Sequence, residues 1–193
     1  MRIIAGQFRG AKLEAPAGRA TRPLTDRVKE TLFNVLGNQF DAPGRIGDVD
    51  VLDLFAGSGG LGLEALSRGA ASCLFVERNR RSAGTLARNV QKLRVETRVK
   101  IAQENAWTMR IPAAPSGEYG LVFVDPPYKD VDDTLMVSGL LERIAPRLAP
   151  RGILMLRHAL HTDFPADSPR GLHCVDNRAI GSMRVLLLGK PLE

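Results

Sequence analysis

The chain has 193 residues, 44% of them hydrophobic and 25% charged, enough for one domain with a full core and too few for two comfortable ones. No apolar run reaches the length of a bilayer span, and Cys73 and Cys174 form no CxxC pair, so membrane spans, disulfide frameworks and zinc sites are not expected. The net charge of +6 favours a polyanionic partner, and the opening Met1-Arg2-Ile3-Ile4-Ala5-Gly6 turns polar too soon for a signal peptide, so a reducing cytoplasm is the expected location.

Residues 1–24, rich in Gly, Pro and Arg, are expected to form a short hairpin or extended arm. Ile3, Ile4 and Leu13 would anchor it on the larger unit, residues 25–193. A helix follows, because Val28, Thr31, Leu32, Val35 and Leu36 recur with a period of about 3.6 residues. Thr25 or Asp26 should cap its start, and Gly37 should stop it. After Pro43-Gly44, strands and helices alternate. Strands are expected at Val49–Phe55, Cys73–Glu77, Val99–Ala102, Tyr119–Asp125 and Gly152–Leu156, with helices at Leu61–Arg68, Arg80–Leu93 and Val131–Leu148. Leu172–Val175 and Val185–Leu188 add two strands with no helix between them. This pattern predicts an α/β fold, a doubly wound Rossmann-like sheet of seven strands whose last pair turns antiparallel. Ligands of such sheets lie beyond the carboxyl ends of the strands. That edge carries Gly57 to Gly59, Glu77, Asn105 and Asp125.

Three motifs there carry chemistry. In Asp53-Leu54-Phe55-Ala56-Gly57-Ser58-Gly59-Gly60-Leu61-Gly62 a strand enters a glycine turn that opens a helix, so backbone can approach a ligand closely. Gly57, Gly59 and Gly62 fit GxGxxG, which equally suits a dinucleotide, but Asp53 just before the turn suits a cationic amino group better than a pyrophosphate. Glu77, at the end of the second strand, can accept hydrogen bonds from two ribose hydroxyls, which supports an adenosine ligand without choosing the cofactor.

The discriminating motif is Asp125-Pro126-Pro127-Tyr128 after the fourth strand. A base amino group is a poor nucleophile because its lone pair is delocalised into the ring. Acceptors at its two hydrogens, the Asp125 carboxylate and the Pro126 carbonyl, favour the pyramidal nitrogen that attacks a methyl group. Pro126 and Pro127 fix the turn, Asp125 can take the released proton, and Tyr128 offers a stacking face for an extruded base. Asn105-Ala106, after the third strand, is placed for an adenine edge. His158 and His161 read as ordinary surface histidines, and no metal is expected, since a sulfonium leaving group needs none. The rivals left open are an adenine-N6 methyltransferase, which shares this tetrad, and an NAD-dependent oxidoreductase or nucleotide-binding module, which does not explain it.

Basic residues concentrate in two stretches. Arg78, Arg80, Arg81, Arg88, Lys92, Arg94, Arg98 and Lys100 stand against the single acid Glu96. Arg2, Arg9, Lys12, Arg19, Arg22, Arg27 and Lys29 lie in the first thirty residues. Both flank the motifs in sequence, which points to nucleic acid more than to two solvated faces.

With these residues in view, the chain resembles the RsmD-type methyltransferases of bacteria, which modify guanine N2 in small-subunit ribosomal RNA. The likeness rests on Arg2-Ile3-Ile4-Ala5-Gly6, on Thr21-Arg22-Pro23-Leu24-Thr25-Asp26-Arg27-Val28-Lys29-Glu30-Thr31-Leu32-Phe33-Asn34, on Phe55-Ala56-Gly57-Ser58-Gly59 followed by Leu63-Glu64-Ala65-Leu66-Ser67-Arg68-Gly69-Ala70, and on Phe123-Val124-Asp125-Pro126-Pro127-Tyr128. The resemblance implies a class I methyltransferase sheet, S-adenosylmethionine as cofactor, and 16S ribosomal RNA as partner, within a small-subunit ribonucleoprotein and with the protein acting as a monomer. It implies cofactor contacts from Arg22, Thr25, Asp53, Phe55, Ala56, Gly57, Ser58, Gly59, Glu77, Arg78, Asn105, Ala106 and Asp125, and catalysis by Asp125 to Tyr128. Substrate RNA would meet Arg9, Lys12, Arg22, Arg27, Arg80, Arg81 and Arg88. Two departures stand out: Gly60 where relatives often carry Ala, and Arg157-His158 where an acid is common.

Overall fold

The structure, a computed structural model, describes residues 1–15, 24–162, 164–165 and 169–191. Its elements in chain order are α1 (Asp26–Gln39), β1 (Asp50–Leu54), α2 (Gly62–Ser67), β2 (Ser72–Val76), α3 (Arg80–Leu93), β3 (Val99–Ala102), β4 (Tyr119–Val124), α4 (Tyr128–Val131), α5 (Thr134–Ile144), β5 (Leu148–Ala159), β6 (His173–Ile180) and β7 (Met183–Gly189). They form one seven-stranded sheet in the order β3-β2-β1-β4-β5-β7-β6. The first five strands run parallel, while β7 is antiparallel to both β5 and β6. The expected doubly wound sheet is therefore observed, with β7 inserted between β5 and the edge strand β6. The strand order reverses between β1 and β4, and that crevice is where such folds place their ligands.

Period-two alternation sends side chains to two cores. Val51, Phe75, Leu121, Phe123 and Met155 meet α1, α2 and α3 on one face. Leu52, Leu54, Val76, Val122, Val124, Leu154 and Leu156 meet α4 and α5 on the other. The central strands β1 and β4 are buried along their whole length; β4 reads as a near-continuous apolar run, while β1 carries the buried acids Asp50 and Asp53. Helix α2 approaches β2 closely: a Cβ on Gly62 would lie 2.3 Å from the Phe75 ring and 2.7 Å from Cys73 Sγ.

The N-terminal arm forms a short antiparallel bridge, Arg2 to Lys12, with Ile3 and Leu13 buried in the α1–α3 core. Polar contacts fasten it. Glu64 of α2, fully buried, accepts from Ile4 N at 2.9 Å, Ala5 N at 3.0 Å, Arg68 Nε at 2.8 Å and Lys29 Nζ at 3.5 Å. Lys29 also donates to the Arg2 carbonyl at 2.8 Å, and burial pulls its pKa down. The Arg68 guanidinium lies 4.8 Å over the Phe33 ring.

Several expectations change. Helix α1 starts where Thr25 caps Val28 N, but it runs through Gly37 to Gln39. The stop expected at Gly37 falls at Asp41, left-handed at φ 51; Ala42 N closes back on Gly37 O and Asp41 N on Asn38 O, a Schellman ending. The single helix expected over Val131–Leu148 is three pieces. Asp133 caps a new helix by accepting from Met136 N at 2.9 Å, and Pro146 ends it in a 3-10 turn over Ala145–Arg147. His158 is not a surface residue: it is 1% exposed, and burial lowers its pKa. Lys29 and Arg98 leave the basic surface, the first buried against Glu64, the second donating to the carbonyls of Ala71, Leu66 and Ala70.

Candidate active site

At the carboxyl end of β1, Phe55 adopts a left-handed φ of 65°, an uncommon conformation for a bulky residue, and hands the chain to the glycine turn. Gly57 and Gly59 continue it at φ 57° and 87°, which is the glycine region. Ala56 N bonds Val76 O at 3.0 Å, tying the turn to the end of β2. Glu77, one residue further, accepts from Gly57 N at 2.8 Å and from Asn79 N at 2.6 Å. The carboxylate expected to hold a ribose thus stands against the turn expected to hold the rest of the cofactor.

Asp53 lies beneath this turn and is 2% exposed. Its carboxyl accepts from Gly62 N at 2.9 Å, so it supports the start of α2. Desolvation pushes its pKa up to about 8; the Gly62 bond opposes this, and Asp125 and Glu77 add to it. Ser58 is buried and Arg78 exposed at the ends of the same loops. Asn105 is exposed beyond β3, its side-chain oxygen accepting from Trp107 N at 3.2 Å, and Ala106 is buried.

Asp125 follows β4. Because Val124 pairs with Leu156 in the parallel β4–β5 ladder, the next residue of each strand meets the other. Arg157 Nε and Nη2 reach the two Asp125 carboxylate oxygens at 2.5 and 2.7 Å, with side chains 12% and 15% exposed. Pro126 is buried and Pro127 half-buried, and Pro127 O accepts Asp130 N at the start of α4. Thr25 and Arg27 are exposed at the start of α1. Arg22, and the side chain of Tyr128, lie outside the described residues. Of the residues expected to meet RNA, Arg9, Lys12, Arg80, Arg81 and Arg88 are exposed along the arm and α3.

Three participants escaped the sequence reading. Arg157 was noticed only as a departure, yet it is the partner of Asp125; the ends of two adjacent parallel strands carried that signal once their pairing was known. Trp107 packs against Phe55, ring centres 4.8 Å apart and tilted by 54°, giving the Asn105 loop an aromatic wall. Asn89 is fully buried on the apolar stripe of α3 and joins three elements. Its side chain accepts from Glu14 N at 2.8 Å and donates to Glu14 O and Ser58 O, both at 3.0 Å. A lone amide among Leu86, Val90 and Leu93 was its sequence signal. A hollow of about 410 Å³ bordered by Gly6, Gly44, Ser67 and Arg98 sits at the opposite, amino-terminal edge of the sheet.

The sheet order, the glycine turn tied to Glu77, and Asp125-Pro126-Pro127 at the switch point define a class I methyltransferase fold. The sequence matches the family described as Conserved hypothetical protein 95 over residues 1–189. It is 42% identical over 154 residues to ribosomal RNA small subunit methyltransferase D of Escherichia coli K12, covering 80% of this chain and 69% of that one. It is 45% identical over 132 residues to YlbH of Bacillus subtilis, a candidate rRNA methyltransferase, covering 67% and 68%. The solved structure of a candidate methyltransferase, YhhF of Escherichia coli, superposes with a TM-score of 0.77 at 31% identity, covering 100% of this chain and 99% of that one. The chain belongs to this family, the RsmD family of methyltransferases. Among the described residues, no helix is long and apolar enough to cross a membrane.

Proposed function

We propose that the protein transfers a methyl group from S-adenosylmethionine to the exocyclic N2 amine of a guanine in 16S ribosomal RNA, in the cytoplasm and on a partly assembled small subunit. The observation that carries this reading is the placement of Asp125-Pro126-Pro127 beside the glycine turn, with both Glu77 oxygens directed to that turn and the following loop. Residues of this chain fit the cofactor. Phe55, Ala56, Gly57, Ser58 and Gly59 offer close backbone approach over Asp53 for its methionine part. Glu77 and Arg78 suit the ribose, and Asn105 and Ala106 the adenine. Thr25, Arg22 and Asp125 border the same site. When bound, the sulfonium supplies an activated methyl group.

The protein's part is alignment and acceptance. Asp125 and the Pro126 carbonyl would take the two amine hydrogens, turning the nitrogen lone pair toward the methyl carbon. Asp125 would then receive the proton that transfer releases. Tyr128 would stack on the extruded guanine. Arg9, Lys12, Arg27, Arg80, Arg81 and Arg88, with Arg22, would meet the phosphates. The relatives' names support the ribosomal substrate. Asp125→Ala is expected to retain cofactor binding measurable by calorimetry and to lose on the order of 10²- to 10³-fold in kcat. Unimpaired turnover in that variant would overturn the assignment.

A further inference from the structure

We infer that Arg157 is a positioning residue for methyl transfer, holding the Asp125 carboxylate in the orientation that receives the target amine. The inference rests on the function proposed above and extends it to a residue on β5. The Asp125 carboxylate joins the backbone turn through two rotatable bonds, and rotation about either turns its acceptor lone pairs away from a target amine. A guanidinium is planar and presents its donors as a fork, so a two-point contact removes that rotation. Here the two contacts are 2.5 and 2.7 Å, one to each oxygen.

The clamp leaves Asp125 able to act. An ionised carboxylate has about four acceptor positions, two on each oxygen. The fork occupies one on each and leaves the others for a substrate N–H. The guanidinium is itself placed firmly: β5 pairs with β4 on one side and with β7 on the other, where Arg157 is in register with Val185. Nη1 lies 3.9 Å from Met183 Sδ. The pair is neither fully buried nor freely solvated at 12% and 15% exposure, so water competes weakly for the contact while a base can still reach the carboxylate. Lysine could supply the charge but not the fork.

Arg157→Ala, Arg157→Lys and Asp125→Asn, with the Arg157→Ala/Asp125→Asn double variant, test this on small subunits lacking the modification. Arg157→Ala should lower kcat on the order of 10- to 100-fold, with KM for the particle and cofactor affinity within about twofold of wild type. Arg157→Lys should recover part of that loss. In the Asp125→Asn background, adding Arg157→Ala should cost less than about twofold more, because the group it positions is already disabled. A loss seated in KM, a loss of equal size in both backgrounds, or unchanged or faster turnover would each overturn the inference. A crystal structure of Arg157→Ala decides independently of any activity: the Asp125 carboxylate should rotate or become disordered, and an unmoved carboxylate refutes the clamp. A wild type inactive on the particle would count against the proposed function, and the crystal structure would still decide the role of Arg157.

Discussion

Asp53 sets two demands against each other. Its burial under the glycine turn disfavours the charged form, while a cationic ligand group above it would favour that form. The consequence for stability follows from the sign of the shift. The folded pKa of about 8 lies above the ordinary 3.8, so the folded state retains a proton that the unfolded chain releases. The fold is relatively favoured below the unfolded pKa and loses stability as pH rises toward the folded one. Each pH unit in that window costs at most about 1.4 kcal/mol. Asp53→Asn keeps an acceptor for Gly62 N and cannot ionise. Its thermal melting temperature should therefore exceed that of wild type at pH 8, and the gap should shrink toward pH 5. A gap independent of pH would contradict the buried-acid account.

The same residue shows what could be read in advance. Asp53, Glu77 and Asp125 were identified from their register at strand ends, because a carboxyl end of a parallel strand is where this fold presents chemistry. Arg157 and Trp107 were not, since each acquires meaning only from a partner on another strand or loop. His158 was misread because the strand it sits on proved longer than its apolar run: β5 reaches Ala159, and residue 158 faces inward.

At the scale of elements, the N-terminal arm is held by polar contacts that its composition did not announce. Glu64 places one negative charge between Lys29 and Arg68 inside the core while accepting two backbone N–H groups of the arm. Glu64→Gln leaves both cations without their counter-charge and should destabilise the fold by about 3–5 kcal/mol in urea unfolding. A cost below about 1 kcal/mol would show that the cluster is not a structural hub. Asn89 ties the arm to the glycine turn through Glu14 and Ser58. Asn89→Ala should loosen the arm and weaken cofactor binding together, seen as faster hydrogen exchange over residues 1–13 and a Kd for S-adenosylmethionine raised about 5- to 30-fold, the size of one lost buried hydrogen-bond network. A change in only one of the two readouts would separate the arm from the turn.

Elements with strong local signals came out as expected. Arg80–Leu93 and Val99–Ala102 match the sequence reading residue for residue. The missed boundaries have physical reasons. Asp133 and Pro146 are standard helix punctuation, but the helical spacing of Val137, Leu140, Leu141, Ile144 and Leu148 masked them. Strand β6 was read too short because, as an edge strand, it carries Asp176, Asn177 and Arg178 where a central strand would be apolar. Its turn into β7 at Gly181-Ser182, with Gly181 at φ 63°, is a two-residue hairpin.

Across the whole molecule, charge is sorted by burial. Cations facing inward, Lys29, Arg68 and Arg98, are consumed by Glu64 and by backbone carbonyls. Those facing outward on the arm and α3 continue one another, and the Arg88–Glu14 pair at 2.7 Å joins the two surfaces. Under the proposed function, an RNA lying along the exposed cations of α3 would reach the cofactor edge. Arg81→Ala should weaken RNA binding about equally for all sequences and reduce the slope of log K against log salt by roughly one. Sequence-selective weakening would instead mean that Arg81 reads a base.

The most direct measurement uses purified protein, tritiated S-adenosylmethionine and small ribosomal subunits from cells lacking this gene. The account predicts label in the N2 amine of a guanine of 16S ribosomal RNA, abolished by Asp125→Ala. Label in an adenine, or none on the particle while cofactor binds, would contradict it.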